Sequence, residues 1–257
     1  MASWIMRVLG GSSLALLVGA SSASASSECF SSHAWGTGQQ GFNVCFSAHG
    51  NLTELFSPAA IDQLAPDRRE GYAICDLTGN RSYFDVGVSE DGFGEPIIEQ
   101  PQGANTFPLE ITRITTDKRL QLHQAFTVSP AARMITVTMT VTNLTRAVRN
   151  IRLSRIVKGD IDGDFGDDQA AHTHDTVFQW ERGVPGVATH GLSLTTLSPN
   201  LAHAAFVQPY EATNNPCARN PTAVSTPTVG DYEGVLRHFL SIPPGESRTV
   251  ILRYQRL

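Results

Sequence analysis

Residues 135–142 read Ile-Thr-Val-Thr-Met-Thr-Val-Thr, so large apolar side chains alternate with threonines over eight consecutive positions. Successive side chains of a β-strand point to opposite faces of its sheet. This stretch therefore predicts an antiparallel strand with one buried face and one face exposed to water. It has the most regular strand pattern of the sequence, and we expect any binding site to lie on the exposed threonine face rather than in the core.

The segments on either side of this strand have strand patterns of their own. Residues 120–128 place apolar side chains on one face, and residues 143–146 predict a turn into a further strand over residues 150–158. The sequence predicts that these three strands form an antiparallel meander.

Further strands are predicted along most of the remaining chain. Residues 42–48 and 52–56 have the pattern of a hairpin, residues 235–242 and 249–254 that of a closing hairpin, and other strands are expected at residues 70–77, 82–88, 176–180, 192–197 and 203–207. About a dozen strands with almost no helix require packed sheets with their apolar faces inward. The sequence thus predicts an all-β fold, a large antiparallel two-sheet sandwich, and excludes a parallel architecture with intervening helices.

The charge balance argues against binding to nucleic acid. The net charge is −5, and sequence-independent binding to phosphates requires clustered Lys and Arg. The nearest approach to a cluster is five basic residues whose spacing spreads them over a pair of strands, and we interpret them as a solvated strand face: Arg146, Arg149, Arg152, Arg155 and Lys158.

The first 25 residues have the pattern of a signal peptide. Arg7 supplies a positive charge, residues 8–20 form a short apolar segment, and Ala23-Ser24-Ala25 matches a cleavage site. The apolar segment is shorter than the roughly 20 residues that span a bilayer, so we expect no membrane span. The mature chain would begin at residue 26, form a single domain over residues 26–257, and be secreted or periplasmic.

Four cysteines remain after cleavage, and an exported chain can oxidise them. Of the three possible pairings we favour Cys29 with Cys45, which would tie the mature N-terminus to the first strand. Cys75 would then hold the long loop around Cys217. Buried free thiols are the alternative.

Residues 160–168 combine five carboxylates with two glycines directly after a predicted strand. Hard cations such as Ca²⁺ are bound by converging carboxylate and carbonyl oxygens, and the alternating spacing suits such a loop. The pattern departs from an EF-hand, because Phe165 occupies the position of the required glycine. The candidate calcium ligands are Asp160, Asp162, Asp164, Asp167 and Asp168; in the alternative, the same residues bend and cap a turn, with some carboxylates paired to nearby arginines or lysine.

Two other sequence patterns are weaker indications of a functional site. His172 and His174 could chelate zinc with Asp175 or with a distant histidine, and His190, His203 or His238 could supply that third ligand, although exposed or core-edge histidines are commoner. Aromatic residues beside acids, Trp180 with Glu181 and Tyr210 with Glu211, could form a sugar site, whereas Trp180 is more readily interpreted as a core residue.

Four segments together resemble a known domain: residues 51–58 (Asn-Leu-Thr-Glu-Leu-Phe-Ser-Pro), residues 109–117 (Leu-Glu-Ile-Thr-Arg-Ile-Thr-Thr-Asp), residues 141–160, and residues 242–247 (Ile-Pro-Pro-Gly-Glu-Ser). They are similar to the β-supersandwich domain that precedes the catalytic barrel of glucodextranase and bacterial glucoamylase. The resemblance implies a fold more than an activity, since the catalytic carboxylates of those enzymes lie on a barrel that we expect to be absent here. The broader galactose-mutarotase-like class includes enzymes that use a His and a Glu on a concave sheet face, but their motifs are not matched in this sequence.

Three hypotheses about function follow. The first is an exported, non-catalytic β-sandwich protein that binds carbohydrate or a cell-surface partner and is stabilised by calcium. The second is a mutarotase-like or other carbohydrate-active enzyme with a cleft across one sheet. The third is a structural or adhesive surface protein. The sequence gives neither the ligand nor the oligomeric state.

Overall fold

The computed structural model describes residues 28–64, 70–161, 168–181, 190–209, 217 and 227–257. The expected signal peptide lies outside this part of the chain. Within it the chain forms eighteen β-strands, all paired antiparallel, in sheets of nine, six and three strands that pack as a sandwich. The predicted all-β supersandwich is confirmed. Among these residues there is no helix long and apolar enough to cross a membrane.

The nine-stranded sheet is the larger layer of the sandwich. In spatial order it contains β16 (Thr228–Val229), β12 (Asp168–His172), β13 (Thr176–Glu181), β14 (Gly191–Thr196), β18 (Ser247–Arg256), β10 (Met134–Asn143), β9 (Leu120–Ser129), β8 (Leu109–Ile114) and β7 (Ile97–Glu99).

The six-stranded sheet forms the opposite layer, and a small sheet adds to the same core. The six strands are, in order, β15 (His203–Pro209), β17 (Tyr232–Ile242), β11 (Arg149–Val157), β4 (Glu70–Asp76), β5 (Arg81–Val86) and β6 (Ser89–Asp91). The three-stranded sheet contains β1 (Ser31–Trp35), β2 (Phe42–Phe46) and β3 (Leu52–Phe56), and β2 and β3 pair as the predicted hairpin.

The alternating stretch forms β10, near the middle of the nine-stranded sheet. Its four apolar side chains, Ile135, Val137, Met139 and Val141, are at most 1% exposed and lie in the main core. Its threonines point the other way and are partly exposed. The prediction of a strand with one buried and one wet face is confirmed.

Two predicted strand pairings are wrong. β10 does not pair with β11, and β17 does not pair with β18; instead β10 pairs with β18, and β11 pairs with β17. Each turn therefore carries the chain from one sheet to the other, and the two crossings lie side by side. The reason is that β11 is buried on both faces: Leu153 faces the main core, while Ile156 belongs to a second apolar cluster with Phe84 and Phe206.

Asn143 joins the two crossings. Its side-chain amide donates to the carbonyl oxygens of Ala147 (2.7 Å) and Ile242 (2.8 Å), and its side-chain oxygen accepts from the backbone N–H of Thr145 (2.9 Å). Its backbone exchanges hydrogen bonds with Gly245 and Glu246 in the neighbouring turn. Since Asn143 is fully buried, these bonds satisfy groups that water cannot reach.

Both favoured disulfides are present. Cys29 is bonded to Cys45, with Cα atoms 5.6 Å apart, and Cys75 to Cys217, with Cα atoms 5.5 Å apart. No cysteine is left free, which rules out the alternative of buried thiols. One bond attaches the start of the described chain to β2, and the other attaches Cys217 to β4.

Candidate functional site

The exposed side of the nine-stranded sheet is the surface on which a binding site was expected. We call it the outer face and define it by the side chains that alternate with buried ones on its central strands: Glu110, Thr112 and Ile114 on β8; Gln121, His123, Ala125 and Thr127 on β9; Thr136, Thr138, Thr140 and Thr142 on β10; and Ser247, Thr249, Ile251, Arg253 and Gln255 on β18.

Hydroxyl groups dominate the centre of the outer face. The hydroxyls of Thr140 and Thr249 lie 2.9 Å apart, and those of Thr142 and Ser247 lie 2.8 Å apart, in both cases at the surface. Each hydroxyl has one proton and two acceptor positions, so these pairs keep unused hydrogen-bonding capacity for a ligand.

A histidine and a carboxylate meet beside the hydroxyls. His123 Nδ1 lies 2.9 Å from Thr112 Oγ1, and His123 Nε2 lies 3.9 Å from Glu110 Oε2. Both side chains are about 30% exposed, His123 at 31% and Glu110 at 28%, so a solute can reach them. An imidazole next to a carboxylate can exchange protons with a bound molecule.

The sequence did not single out His123 or Glu110. They lie on different strands, and only the pairing of β8 with β9, which sets Thr112 opposite His123, brings them together. A signal was present, since each residue occupies an outward position of an alternating strand. The register that joins them could not be read from the sequence.

A cavity of about 460 Å³ opens at the edge of the outer face. Ile97, Ile114 and Leu144 supply its apolar lining, and Thr112, the partner of His123, also lies in its wall. Its charged lining residues are Glu95 and Lys118. This combination of size, apolar walls and a few polar groups is typical of small-molecule sites.

The candidate aromatic-plus-acid pair at residues 180 and 181 does not form on one face. Gln179 points inward and is 3% exposed, so Trp180, the next residue, points outward with Phe178 and is half-buried. Trp180 is therefore not a core residue, and Glu181 follows it on the opposite side of the strand. The second such pair, Tyr210 and Glu211, lies outside the described residues.

The interior of the sandwich contains a buried ion pair that the sequence did not reveal. Arg155 and Glu70 are both fully buried, with Arg155 Nη2 2.8 Å from Glu70 Oε2. The guanidinium also donates to Gln124 Oε1 (2.7 Å), to the carbonyl of Gly50 (3.0 Å) and to the hydroxyl of Tyr254 (2.9 Å).

The interpretation of residues 146–158 as a solvated face is wrong for two of its members. Arg155 is 0% exposed, and Lys158 is 3% exposed with its ammonium 2.9 Å from Asp231. Their strand is central in the six-stranded sheet, so even its charged side chains are covered by neighbouring strands.

A second buried network surrounds Arg113. Its guanidinium lies 2.6 Å from Asp85, donates to Glu90, and donates to the carbonyl of Gly94 at 2.8 Å. His49 Nδ1 lies 2.9 Å from Asp85 and 3.0 Å from Glu90. Burial alone would lower the pKa of His49, but its hydrogen bonds to the two carboxylates outweigh burial and raise that pKa to about 9.

The acidic stretch is described only at its two ends. Asp160 is fully buried and Asp168 is 6% exposed, and both oxygens of Asp168 lie 3.3 Å from the backbone N–H of Ile161. The other three candidate calcium ligands, Asp162, Asp164 and Asp167, lie outside the described residues. The calcium site therefore stays a prediction.

Of the residues considered for zinc, the structure brings three together. His174 and His203 both contact the carboxylate of Asp175, and His172 lines the cavity beside them. His190 is elsewhere, within 3.1 Å of the Arg256 guanidinium.

The fold is a β-supersandwich, in which two large antiparallel sheets pack against each other. No protein-family model and no curated protein sequence matches the chain. Solved structures do, at the level of fold. A protein from Escherichia coli K12 assigned as an aldose 1-epimerase aligns with a TM-score of 0.50 and 11% identity, over 88% of this chain and 99% of that chain.

Larger enzymes contain the same sandwich as one part. A bacterial glucoamylase complexed with acarbose aligns with a TM-score of 0.59 and 6% identity, over 90% of this chain and 32% of that one. A heparan sulfate lyase from Pedobacter heparinus aligns with a TM-score of 0.50 and 8% identity, over 84% of this chain and 33% of that one. The chain thus spans about a third of these two enzymes, and the expected resemblance to the glucoamylase sandwich is confirmed for the fold.

Proposed function

We propose that this protein is an exported, non-catalytic carbohydrate-binding β-supersandwich whose ligand lies on the outer face, in the cavity lined by Ile97, Ile114 and Leu144. The observation that carries the proposal is the position of this apolar cavity beside surface hydroxyls, on the side of the sheet that faces away from the core. The neighbouring solved structures, which are carbohydrate-active proteins, support a carbohydrate ligand.

The lining suits the two kinds of surface that a sugar presents. The C–H faces of a pyranose ring can pack on the aliphatic side chains, while its hydroxyls can bond Thr112, Glu95 and Lys118. A volume of about 460 Å³ accommodates one or two sugar rings, and a longer glycan would continue across the threonine hydroxyls.

A glycan array followed by calorimetry with the best ligand tests this proposal. We expect Leu144→Glu to weaken binding at least tenfold, because it places a charge in the apolar wall. Leu144 is 43% exposed, so the change leaves the core intact. Leu197→Glu is the matched control: Leu197 is 42% exposed and does not line the cavity, so its variant should bind like the wild type. Absence of any glycan ligand, or equal binding by Leu144→Glu, contradicts the proposal.

Aldose epimerisation is the second candidate, and the pair of His123 and Glu110 favours it. Opening and closing a sugar ring requires one group that removes a proton and one that donates it, and these two side chains meet on the outer face. Polarimetry would show accelerated mutarotation of an aldose by the wild type and a loss of roughly 100-fold or more in His123→Gln. A wild-type rate equal to that of buffer eliminates this candidate.

We retain calcium as a proposal for residues 160–168. Five carboxylates within nine residues repel one another unless a cation neutralises them, and Asp168, at one end of the segment, accepts a hydrogen bond from the backbone N–H of Ile161. At a Ca²⁺ concentration one hundred times the dissociation constant, binding should raise the free energy of unfolding by roughly 2.7 kcal/mol and therefore raise the thermal midpoint. A chelator should reverse this shift. Alanine at Asp162 and Asp164 should abolish the shift, whereas an unchanged wild-type midpoint rejects the site.

A further inference from the structure

Three donor groups typical of transition-metal sites converge away from the outer face. His174 and Asp175 lie in the turn between β12 and β13, and His203 begins β15 at the edge of the six-stranded sheet. Asp175 Oδ1 lies 2.6 Å from His174 Nδ1 and 2.8 Å from His203 Nε2. We call these three residues the histidine cluster; it connects the two large sheets at one end of the sandwich.

The hydrogen bond on the far side of His203 fixes its ring. His203 Nδ1 lies 2.7 Å from the carbonyl oxygen of Leu201, which can only accept, so Nδ1 carries a proton. The other ring nitrogen, Nε2, faces the Asp175 carboxylate at 2.8 Å, so the ring is oriented with Nε2 toward the other two groups of the cluster.

We propose that the histidine cluster binds a divalent transition-metal ion of the zinc type, with His174, Asp175 and His203 as ligands. Zn²⁺ is bound in proteins by imidazole nitrogens and carboxylate oxygens, and three protein ligands with one open position are a common arrangement. The Leu201 carbonyl behind His203 is the kind of partner that orients a metal-binding histidine.

The surroundings leave room for the remaining coordination position. A cavity of about 400 Å³ is lined by His172, His174 and His203 together with Thr173 and two alanines. Its opening admits water or a ligand group to the ion, and His172 lies in its wall as a further imidazole.

The partners on the buried side hold the cluster in place. The ring of His238 lies 5.5 Å from that of His203 at an interplanar angle of 29°, and its Nε2 is 2.9 Å from Thr196 Oγ1. His238 is 1% exposed and the His203 side chain is 1% exposed as well, so the inner wall of the site is built from packed groups.

The two solvent-exposed ligands, His174 and Asp175, can adjust their positions to an ion. Ligand atoms around a tetrahedral Zn²⁺ lie roughly 3.3 Å apart, given metal–ligand distances near 2.0–2.1 Å. The present separations of 2.6 and 2.8 Å must therefore open by about 0.7 and about 0.5 Å. His174 and Asp175 have side chains that are 77% and 48% exposed, and they can move by this amount without disturbing the core.

The other clusters of three donor groups in the described part of the chain are already engaged. His49, Asp85 and Glu90 also lie close together, but the Arg113 guanidinium pairs with both carboxylates. The four cysteines are in disulfides and cannot supply thiolates. Zinc binding by the described residues is therefore expected at the histidine cluster.

Calorimetry of the untagged, metal-free protein with ZnCl₂ tests the inference, alongside thermal unfolding with Zn²⁺ or Ca²⁺. We expect one Zn²⁺ per chain at the cluster and a raised thermal midpoint. His174→Gln and Asp175→Asn should each weaken zinc binding at least tenfold, because each removes one ligand from an exposed position and leaves the fold intact. Ca²⁺, which prefers oxygen ligands, should not compete for this site.

His123→Gln is the matched control, since it removes a half-exposed imidazole from the outer face and should bind zinc like the wild type. The visible absorption of bound Co²⁺ gives a second readout, and it should diminish in His174→Gln and Asp175→Asn but not in His123→Gln. The inference is overturned if the wild type binds no zinc, or if His174→Gln and Asp175→Asn keep its stoichiometry and affinity. The first result would show that these groups form only an ion pair. Neither result bears on carbohydrate binding at the outer face.

Discussion

His49 lies in the turn between β2 and β3, yet two carboxylates hold its imidazole inside the protein. The residue is only 6% exposed, and Asp85 also accepts a hydrogen bond from the Asn51 side chain at 2.5 Å. The carbonyl of His49 accepts from the hydroxyl of Tyr72 at 2.9 Å. A turn that would ordinarily be solvated thus becomes a fixed part of the sandwich.

The raised pKa of His49 makes stability depend on pH in the alkaline range. Its pKa is about 9 in the folded protein and about 6.5 in the unfolded chain, so the folded state binds the proton more tightly. The resulting stabilisation, on the order of 3 kcal/mol, is fully present below pH 6.5 and is lost as pH rises through 9. Urea unfolding between pH 6 and 10 should show this decline in the wild type.

The same series with His49→Gln supplies the comparison. This variant should be less stable at pH 6 and should lack the decline that belongs to His49, whereas His123→Gln, outside the network, should keep it. A wild-type stability that does not change between pH 6.5 and 9 would contradict the assignment of the proton to His49.

Arg155 shows why single charged residues are hard to place from sequence. In residues 150–158 it lies on the same face of the strand as Ile151 and Leu153, which point into the core, but its partner Glu70 is 85 positions away. A better signal was the apolar pair that follows, Ile156 and Val157, since consecutive apolar residues indicate a strand covered on both faces. The partners themselves depend on which strands become neighbours.

At the level of elements, Asn143 should govern how the two crossings fit together. In Asn143→Asp a carboxylate oxygen would replace the amide that donates to Ala147 and Ile242, and three acceptors would face one another in the interior. We expect a loss of roughly 2–5 kcal/mol in the free energy of unfolding, measured in urea. Asn150→Asp, at an exposed position of β11, should change stability by no more than about 0.5 kcal/mol. Equal effects of the two changes would show that Asn143 does not hold the crossings.

Strand positions could be predicted from the sequence, whereas several pairings could not. Alternation located the core strands because it records which side chains are buried, and burial is local in sequence. The strands that flank a turn alternate apolar and polar residues whether the turn forms a hairpin or carries the chain to the facing sheet. The sequence of residues 143–149 and 243–246 therefore did not indicate a crossing between sheets. The short strands β6 and β7 were also missed, because only three residues of each pair with a neighbour.

At the level of the whole molecule, the two disulfides should differ in their contribution to stability. They join residues that are 16 and 142 positions apart. Closing a longer loop removes more conformational freedom from the unfolded chain, which gives about 3 kcal/mol for Cys29–Cys45 and about 5 kcal/mol for Cys75–Cys217. Replacing each pair by serine and measuring unfolding in urea should reproduce this order. A larger loss from the Cys29–Cys45 variant would be the opposite of this expectation.

The candidate sites were predicted to different extents. The location of the outer face followed directly from the threonines of β10, because one strand defines both faces of its sheet. The pair of His123 and Glu110 and the histidine cluster required knowledge of the tertiary structure; Asp175 and His203 are 28 positions apart and lie on different sheets. The acidic stretch was easy to notice, and its role now depends on the calcium measurement.

The place of β18 has a consequence for how the protein folds. This strand, residues 247–256, lies between β14 and β10 in the middle of the nine-stranded sheet. Until those residues leave the ribosome, no strand connects β14 to β10. The contact of Thr140 with Thr249, for example, joins residues 109 positions apart. The large sheet can close only after synthesis of this segment. Its folding should therefore be slow and dominated by distant contacts.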